Sequence, residues 1–241
     1  MSRQFAAFDI DGTIVRTALF IQIVNELLAA GHLRPELREA IDAKWEAYRT
    51  RTHPRAFTDY NQTVVNVLFE NLAGLKVADY RAAVDRVVQR SRLQTYVYTR
   101  DLIKSLKEKG YFLIALSGSE TYAIEQFTAH YGFDYVAGDV YSEEGGTFTG
   151  QVVNTVFHDK GAALKTIVEE QGLTFKDSLA IGDSLGDARM LETVEHPIAF
   201  NPEAELFKLA RKRGWEIVVE RKNVVYKLEP DSGTYLLAEA D

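Results

Sequence analysis

Short apolar runs separated by amphipathic stretches recur along most of the chain. Gln4–Phe8, Phe112–Leu116, Tyr135–Gly138, Ser178–Ile181, Ile198–Phe200 and Glu216–Val219 are mostly four to six residues long and apolar at successive positions. That pattern predicts strands covered on both faces, because a strand with one wet face alternates apolar and polar residues. Helical patterns lie between them at Asp101–Lys109, Glu120–Tyr131, Gly161–Gln171, Asp187–Val194 and Glu203–Arg213. Strands alternating with helices imply an α/β fold built on an open, doubly wound, mostly parallel (Rossmann-like) sheet.

The alternation stops between Arg16 and about Arg92, where only helices are predicted. Leu37, Ile41, Trp45 and Tyr48 fall on one helical face, as do Tyr60, Val64, Val67 and Leu68, and again Tyr80, Val84, Val87 and Val88. Residues 16–92 are therefore expected to form an inserted all-helical cap, its stripes making a core of its own over a sheet domain of residues 1–15 and 93–241. A hairpin is expected from Val140–Ser142, through a turn at Glu143–Gly146, to Phe148–Val153. The tail within 220–241 reads as another hairpin, Val224–Leu237, with its turn at Pro230–Gly233.

Composition narrows the function classes. The 241 residues carry no cysteine, which excludes disulfides, thiolate metal sites and cysteine nucleophiles. A net charge of −7 and a pI near 5.4 argue against a nucleic-acid binder that works by neutralising phosphates. The most apolar helical stretch, Ala18–Ala30, is interrupted by Gln22, Asn25 and Glu26 and is too short to span a bilayer of about 20 helical residues. No membrane partner and a cytoplasmic location are the expectation.

Chemistry concentrates where three strands end. After Phe8 comes Asp9-Ile10-Asp11-Gly12-Thr13; after Leu116 comes Ser117-Gly118-Ser119; after Ile181 comes Gly182-Asp183-Ser184-Leu185-Gly186-Asp187. Open parallel sheets bind ligands just past the carboxyl ends of their strands. Up to four carboxylates would share one crevice there, and two charges 4 Å apart repel by about 4 kcal/mol at an effective dielectric of about 20. Cations must share the site. Oxygen ligands without cysteine or paired histidines favour Mg²⁺ over Zn²⁺, and Lys160, opening a helix, is the best-placed fixed cation. A phosphate dianion would settle there only with the metal present, helped by donors such as Ser117 and the backbone near Gly118.

Phe8-Asp9-Ile10-Asp11-Gly12-Thr13, Ser117, Lys160 and the segment from Gly182 to Asp187 resemble, in chain order, the four motifs of the haloacid dehalogenase-like hydrolases. The helical insertion and the later hairpin are similar to the phosphoserine-phosphatase-like branch. The resemblance implies an Mg²⁺-dependent phosphatase for a small phosphorylated metabolite, acting as a monomer or homodimer. It makes Asp9 the nucleophile that forms an aspartyl-phosphate and Asp11 the general acid and base. Asp9, the backbone carbonyl of Asp11, and Asp183 would hold the metal. Ser117, Gly118 and Lys160 would bind the phosphoryl oxygens, while Asp187 and Thr13 would act from behind them.

One departure bears on the substrate. Phosphoserine phosphatases carry an acid about nine positions after the nucleophile to read the substrate amine; here that position is Ala18, and the nearest acid beyond it is Glu26. Phosphoserine is therefore not the first expectation, and Arg16, Arg51, Arg55 and Phe20 are candidates to meet an anionic or apolar leaving group. The five histidines show no ligand spacing and are expected to be structural or at the surface. Phosphoserine phosphatase proper, a phosphotransferase or phosphomutase of the same superfamily, and a regulatory phospho-acceptor or binding module are the alternatives. Retention of Asp11 argues against the last, since a passive acceptor has no use for a general acid.

Overall fold

The computed structural model describes residues 2–156, 158–231 and 234–240. It opens with strand β1 (Gln4–Phe8), followed by helices α1 (Leu19–Ala29), α2 (Leu37–Arg49), α3 (Ala56–Glu70), α4 (Val77–Ser91) and α5 (Val97–Glu108). Next come β2 (Phe112–Glu120), α6 (Thr121–Thr128), β3 (Tyr135–Glu144), β4 (Thr147–Asn154), α7 (Lys160–Glu170) and β5 (Thr174–Gly182). The chain finishes with α8 (Ala188–Leu191), β6 (His196–Phe200), α9 (Ala204–Arg213), β7 (Glu216–Arg221), β8 (Val224–Asp231) and β9 (Thr234–Ala240).

One nine-stranded sheet runs in the order β4-β3-β2-β1-β5-β6-β7-β8-β9. Its six central strands are parallel, and β4, β8 and β9 join antiparallel at the two edges. Strand order reverses between β2 and β5 on either side of β1, the switch point where a crevice opens at the carboxyl ends. Both faces of β1 are dry, as its unbroken apolar run predicts. Phe5 and Ala7 pack on one side with Ile114, Leu164 and Ile217, while Ala6 and Phe8 pack on the other with Leu113 and Phe127. No helix among the described residues is long and apolar enough to cross a membrane.

Several boundaries differ from the sequence expectation. β2 continues through Ser117-Gly118-Ser119 to Glu120, whose side chain accepts from the Tyr122 and Ala123 amides (3.0 and 3.2 Å) and so caps α6. β3 is one continuous strand across Asp139, and the expected hairpin is its far half paired with β4. The helix expected at Asp187–Val194 is a 3₁₀ turn, Leu185–Asp187, running into the short α8. The tail hairpin extends the sheet as β8 and β9; Ser232 and Gly233 of its expected turn lie outside the described residues.

The helical insertion is buried differently from the expectation. Its stripes do not close on a core of their own: Leu19, Val24, Tyr60, Val64, Val84 and Val87 share one cluster with Phe8, Ile10, Leu113 and Phe127 of the sheet domain. The two links to the sheet domain run side by side, with Arg16 N donating to Gln94 O (3.0 Å) and Tyr96 N to Ile14 O (3.0 Å). At its far side the insertion is pinned to the β3–β4 hairpin. Gly74 N donates to Phe148 O (2.8 Å), Phe148 N to Leu75 O (2.9 Å) and Val77 N to Gly146 O (3.0 Å).

Candidate active site

β1 leaves the sheet into Asp9, whose amide donates to Ile181 O of β5 at 3.0 Å. Ile10 turns into the core, and the chain coils back through Ile14 N to Ile10 O (2.9 Å) and Gly12 N to Val15 O (3.0 Å). Gly12 has φ +86°, and a Cβ there would lie 2.1 Å from Asp183 Oδ2. Only glycine lets this loop turn left-handed and press its backbone against the Asp183 carboxylate. Gly182 makes a second close approach, since a Cβ on it would sit 2.5 Å from the Asp187 Cβ.

Lys160 begins α7 directly after Asp159, which caps the helix by accepting from Ala162 N at 2.9 Å. Its Nζ reaches Asp9 Oδ1 and Asp187 Oδ1, each at 2.6 Å. All three side chains are buried. The other oxygen of Asp187 accepts from Asp183 N (3.1 Å), Ser184 N (2.9 Å) and Ser184 Oγ (3.0 Å). Asp187 is thus fully engaged: it holds Lys160 on one side and shapes the turn that presents Asp183 on the other.

Asp9 is not fully engaged. Its Oδ2 is buried with no hydrogen-bond partner, a condition that costs a carboxylate several kcal/mol unless a cation or ligand meets it. Oxygens of Asp9, Asp183 and Asp187 come within 4.8 Å of one another. Burial pushes the Asp9 carboxyl up to about 7 against the pull of Lys160. Burial likewise raises Asp183 well above the usual carboxylate range, with Asp9 and Asp187 adding to it. Burial alone would drive Lys160 down, but the carboxylates of Asp187 and Asp9 together outweigh it and keep the ammonium above its ordinary value. An all-oxygen donor set with an orphaned, buried carboxylate oxygen fits a hard divalent cation such as Mg²⁺, held between Asp9 and Asp183.

Asp11 has partners different from those of Asp9. Ser117 Oγ (2.9 Å) and Ser119 Oγ (2.6 Å) both donate to its Oδ2, and the Leu19 amide at the start of α1 donates to Oδ1. Ser117 Oγ also accepts from Ser119 N at 2.9 Å, so the hydroxyl expected to meet phosphate faces Asp11 in this structure. Gly118 sits between the two serines at the end of β2. Thr13 is buried behind the loop with its hydroxyl unpartnered. Asp9, Asp183, Asp187 and Lys160 are thus in one crevice, with Asp11, Ser117 and Ser119 forming its second wall.

A model of the haloacid dehalogenase-like hydrolases matches residues 6–192, an interval that takes in every side chain of this crevice. The chain belongs to that family. Among related haloacid dehalogenase-like hydrolases, a phosphoserine phosphatase of Archaeoglobus fulgidus is 25% identical over 210 residues, covering 86% of this chain and 55% of the relative. Another from Methanocaldococcus jannaschii is 24% identical over 200 residues, covering 82% and 85%. One from Mycobacterium tuberculosis is 39% identical over only 88 residues, 36% of this chain and 29% of the relative. The chain therefore spans about half or less of the Archaeoglobus and Mycobacterium proteins. A substrate-bound phosphoserine phosphatase structure shares the fold, with a TM-score of 0.65 at 21% identity over 92% of this chain and 95% of that one. A Bordetella pertussis protein of unknown function does so at 0.73, with 20% identity over 90% and 98%.

Ser119 and the Leu19 amide meet Asp11 without having been singled out for it. Ser119 had a signal, since it lies two residues beyond Ser117 and a strand places such residues on one face. Of the residues put forward for the leaving group, Phe20 directly follows Leu19, whose amide meets Asp11. Arg16 pairs with Glu220 (3.1 Å) and lies over the Tyr96 ring, Arg51 and Arg55 are exposed, and Phe20 packs against the core. Glu26 is held at 2.7 Å by both Arg86 and Arg90.

Proposed function

We propose that the chain is an Mg²⁺-dependent phosphatase that hydrolyses a small phosphomonoester through an aspartyl-phosphate on Asp9. The observation that carries this reading is the division of Asp9: Lys160 anchors one oxygen, while the other is buried and unclaimed. That leaves one nucleophilic oxygen aimed by a fixed cation. Asp9 and Asp183 would hold the metal, with the Asp11 backbone carbonyl completing the protein's share. The ion supplies charge neutralisation for the incoming dianion. Lys160 stabilises charge on the phosphoryl oxygens, and Asp187 keeps it in place.

Asp11, held by two serine hydroxyls and a helix amide, is positioned to protonate the leaving alcohol. The same carboxylate then takes a proton from the water that releases phosphate. Residues 16–92 serve as the cap that shields these steps from bulk water, with residues 1–15 and 93–241 as the catalytic unit. The relatives' names make phosphoserine the first substrate to try. Ala18 at the amine-reading position, and the engagement of Glu26 with two arginines, argue for another leaving group. Phosphate release from a panel of phosphomonoesters with Mg²⁺ tests the reading, together with mass spectrometry of a trapped Asp9 adduct. Transfer to an added alcohol in place of phosphate release would favour a phosphotransferase, and undiminished turnover by Asp9→Asn would overturn the mechanism.

A further inference from the structure

We propose that Glu203, the N-cap of α9, is a positioning residue for Asp183 and sets how tightly the site holds its divalent cation. The inference rests on the Mg²⁺ reading and deepens it. Glu203 follows the carboxyl end of β6, the strand next to β5 in the sheet. Its amide donates to Asp183 O at 2.9 Å, and its Oε1 accepts from Leu185 N at 2.8 Å. A single residue thus grips the turn that carries Asp183 at two points.

A polar side chain at a helix N-cap ordinarily accepts from one of that helix's own first amides. The Glu203 carboxylate makes no such bond to α9. It is spent instead on the 3₁₀ turn Leu185–Asp187, whose first amide it meets. The segment leading to it is fixed on β7. Asn201 has a left-handed backbone (φ +43°), which asparagine adopts more readily than most residues. Its amide donates to Val218 O at 2.8 Å, and its Oδ1 accepts from Glu220 N at 2.9 Å. Pro202 then restricts the backbone immediately before Glu203.

Two residues share the backbone of this turn. Asp187 Oδ2 accepts from the Asp183 and Ser184 amides, while Glu203 takes Leu185 N and Asp183 O. Asp187 also holds Lys160, so any change there disturbs Asp9 as well. Glu203 makes no hydrogen bond to Asp9, Lys160 or Asp187 among the described residues, so its effect is confined to the Asp183 turn. The Gly12 backbone closes on the Asp183 carboxylate from the loop after β1. Mg²⁺ demands near-ideal geometry at about 2.0–2.1 Å, so a turn free to shift would weaken its hold on the ion. Partners that keep a metal ligand in place are typically worth about 10–100-fold in affinity.

The test titrates Mg²⁺ into the full chain as wild type, Glu203→Gln and Glu203→Ala. Glu205→Ala serves as a control on the same helix, its carboxylate pairing with Lys208 at 2.7 Å. Binding is read without substrate, from the rise in Tm and by calorimetry, and kcat at saturating Mg²⁺ is measured separately. Glu203→Ala should weaken Mg²⁺ binding by about 10–100-fold, with a far smaller change in kcat once the ion is saturating. Glu203→Gln keeps an oxygen for Leu185 N and should recover most of that loss, and Glu205→Ala should match the wild type. Equal losses in Glu203→Gln and Glu203→Ala, or a comparable loss in Glu205→Ala, would overturn the proposal in favour of long-range charge. A lowered Tm of the metal-free protein at unchanged Mg²⁺ affinity would overturn it in favour of a structural role. An unaltered Glu203→Ala in a wild type that does bind Mg²⁺ would sink this proposal alone. Absence of any Mg²⁺-dependent rise in the wild type would instead strike the metal reading, and the proposal with it.

Discussion

Two acidic clusters sit at opposite ends of the same sheet, and by residue type they look alike. Asp9, Asp183 and Asp187 meet at the carboxyl ends of the strands; Asp177, Glu195 and His196 meet at the amino ends of β5 and β6. In each, ligand atoms lie within 4.8 Å of one another. At the amino end every carboxylate has local work on an open surface. Gln4 Nε2 donates to Asp177 at 2.9 Å, and Glu195 accepts from the Asp177 amide at 2.8 Å. At the carboxyl end Asp9 and Asp187 are buried around one lysine with half-buried Asp183 beside them, and one oxygen of Asp9 is left over. Water screens and satisfies the first cluster, whereas the second must draw on a cation and a ligand. Proximity of acids does not make a site; burial with an unmet atom does.

The largest effect expected from this contrast is on turnover. Asp9→Asn should lower kcat by about 10⁴-fold or more, while Asp177→Asn leaves it unchanged, as steady-state phosphate release would report. Comparable losses in both would erase the distinction. Next is stability. Lys160→Met strands Asp9 and Asp187 as buried, unpaired carboxylates and should cost about 3–5 kcal/mol in urea unfolding without metal. His196→Ala should stay within about 0.5 kcal/mol by the same measurement.

Metal binding sharpens the comparison further. Mg²⁺ at a hundred times its dissociation constant should stabilise the wild type by about 2.7 kcal/mol, read as a concentration-dependent rise in Tm. Asp183→Asn should abolish that rise and Glu195→Gln should keep it; the reverse would place the ion at the wrong end. A smaller effect than that of the ion is local. Glu195→Ala removes the acceptor of the Asp177 amide and should cost about 1 kcal/mol, with no change in the response to Mg²⁺.

Much of this arrangement was legible in the chain. β1 was read to its observed limits because a strand buried on both faces carries an unbroken apolar run. Asp9, Asp11, Asp183 and Lys160 stood out because each follows such a run or opens a helix. The ends of β2 and β3 were cut short. Ser117–Glu120 and Gly138–Asp139 are small and polar, and polar residues at a strand's carboxyl end look like a turn until their partners are known. The 3₁₀ turn at Leu185–Asp187 was hidden for a related reason. Its geometry is dictated by Asp187 accepting from Ser184 and Asp183, not by periodicity.

The sequence alone determined which residues could be strand, helix and polar strand end, because burial on two faces, helical period and clustered carboxylates are properties of neighbours in the chain. The pairings were decided only by the tertiary structure. Lys160 divides itself between Asp9 and Asp187, Ser117 turns to Asp11, and the cap stripes merge with the sheet core. Each depends on contacts between segments far apart in the chain, where distance, burial and the satisfaction of polar atoms are settled jointly.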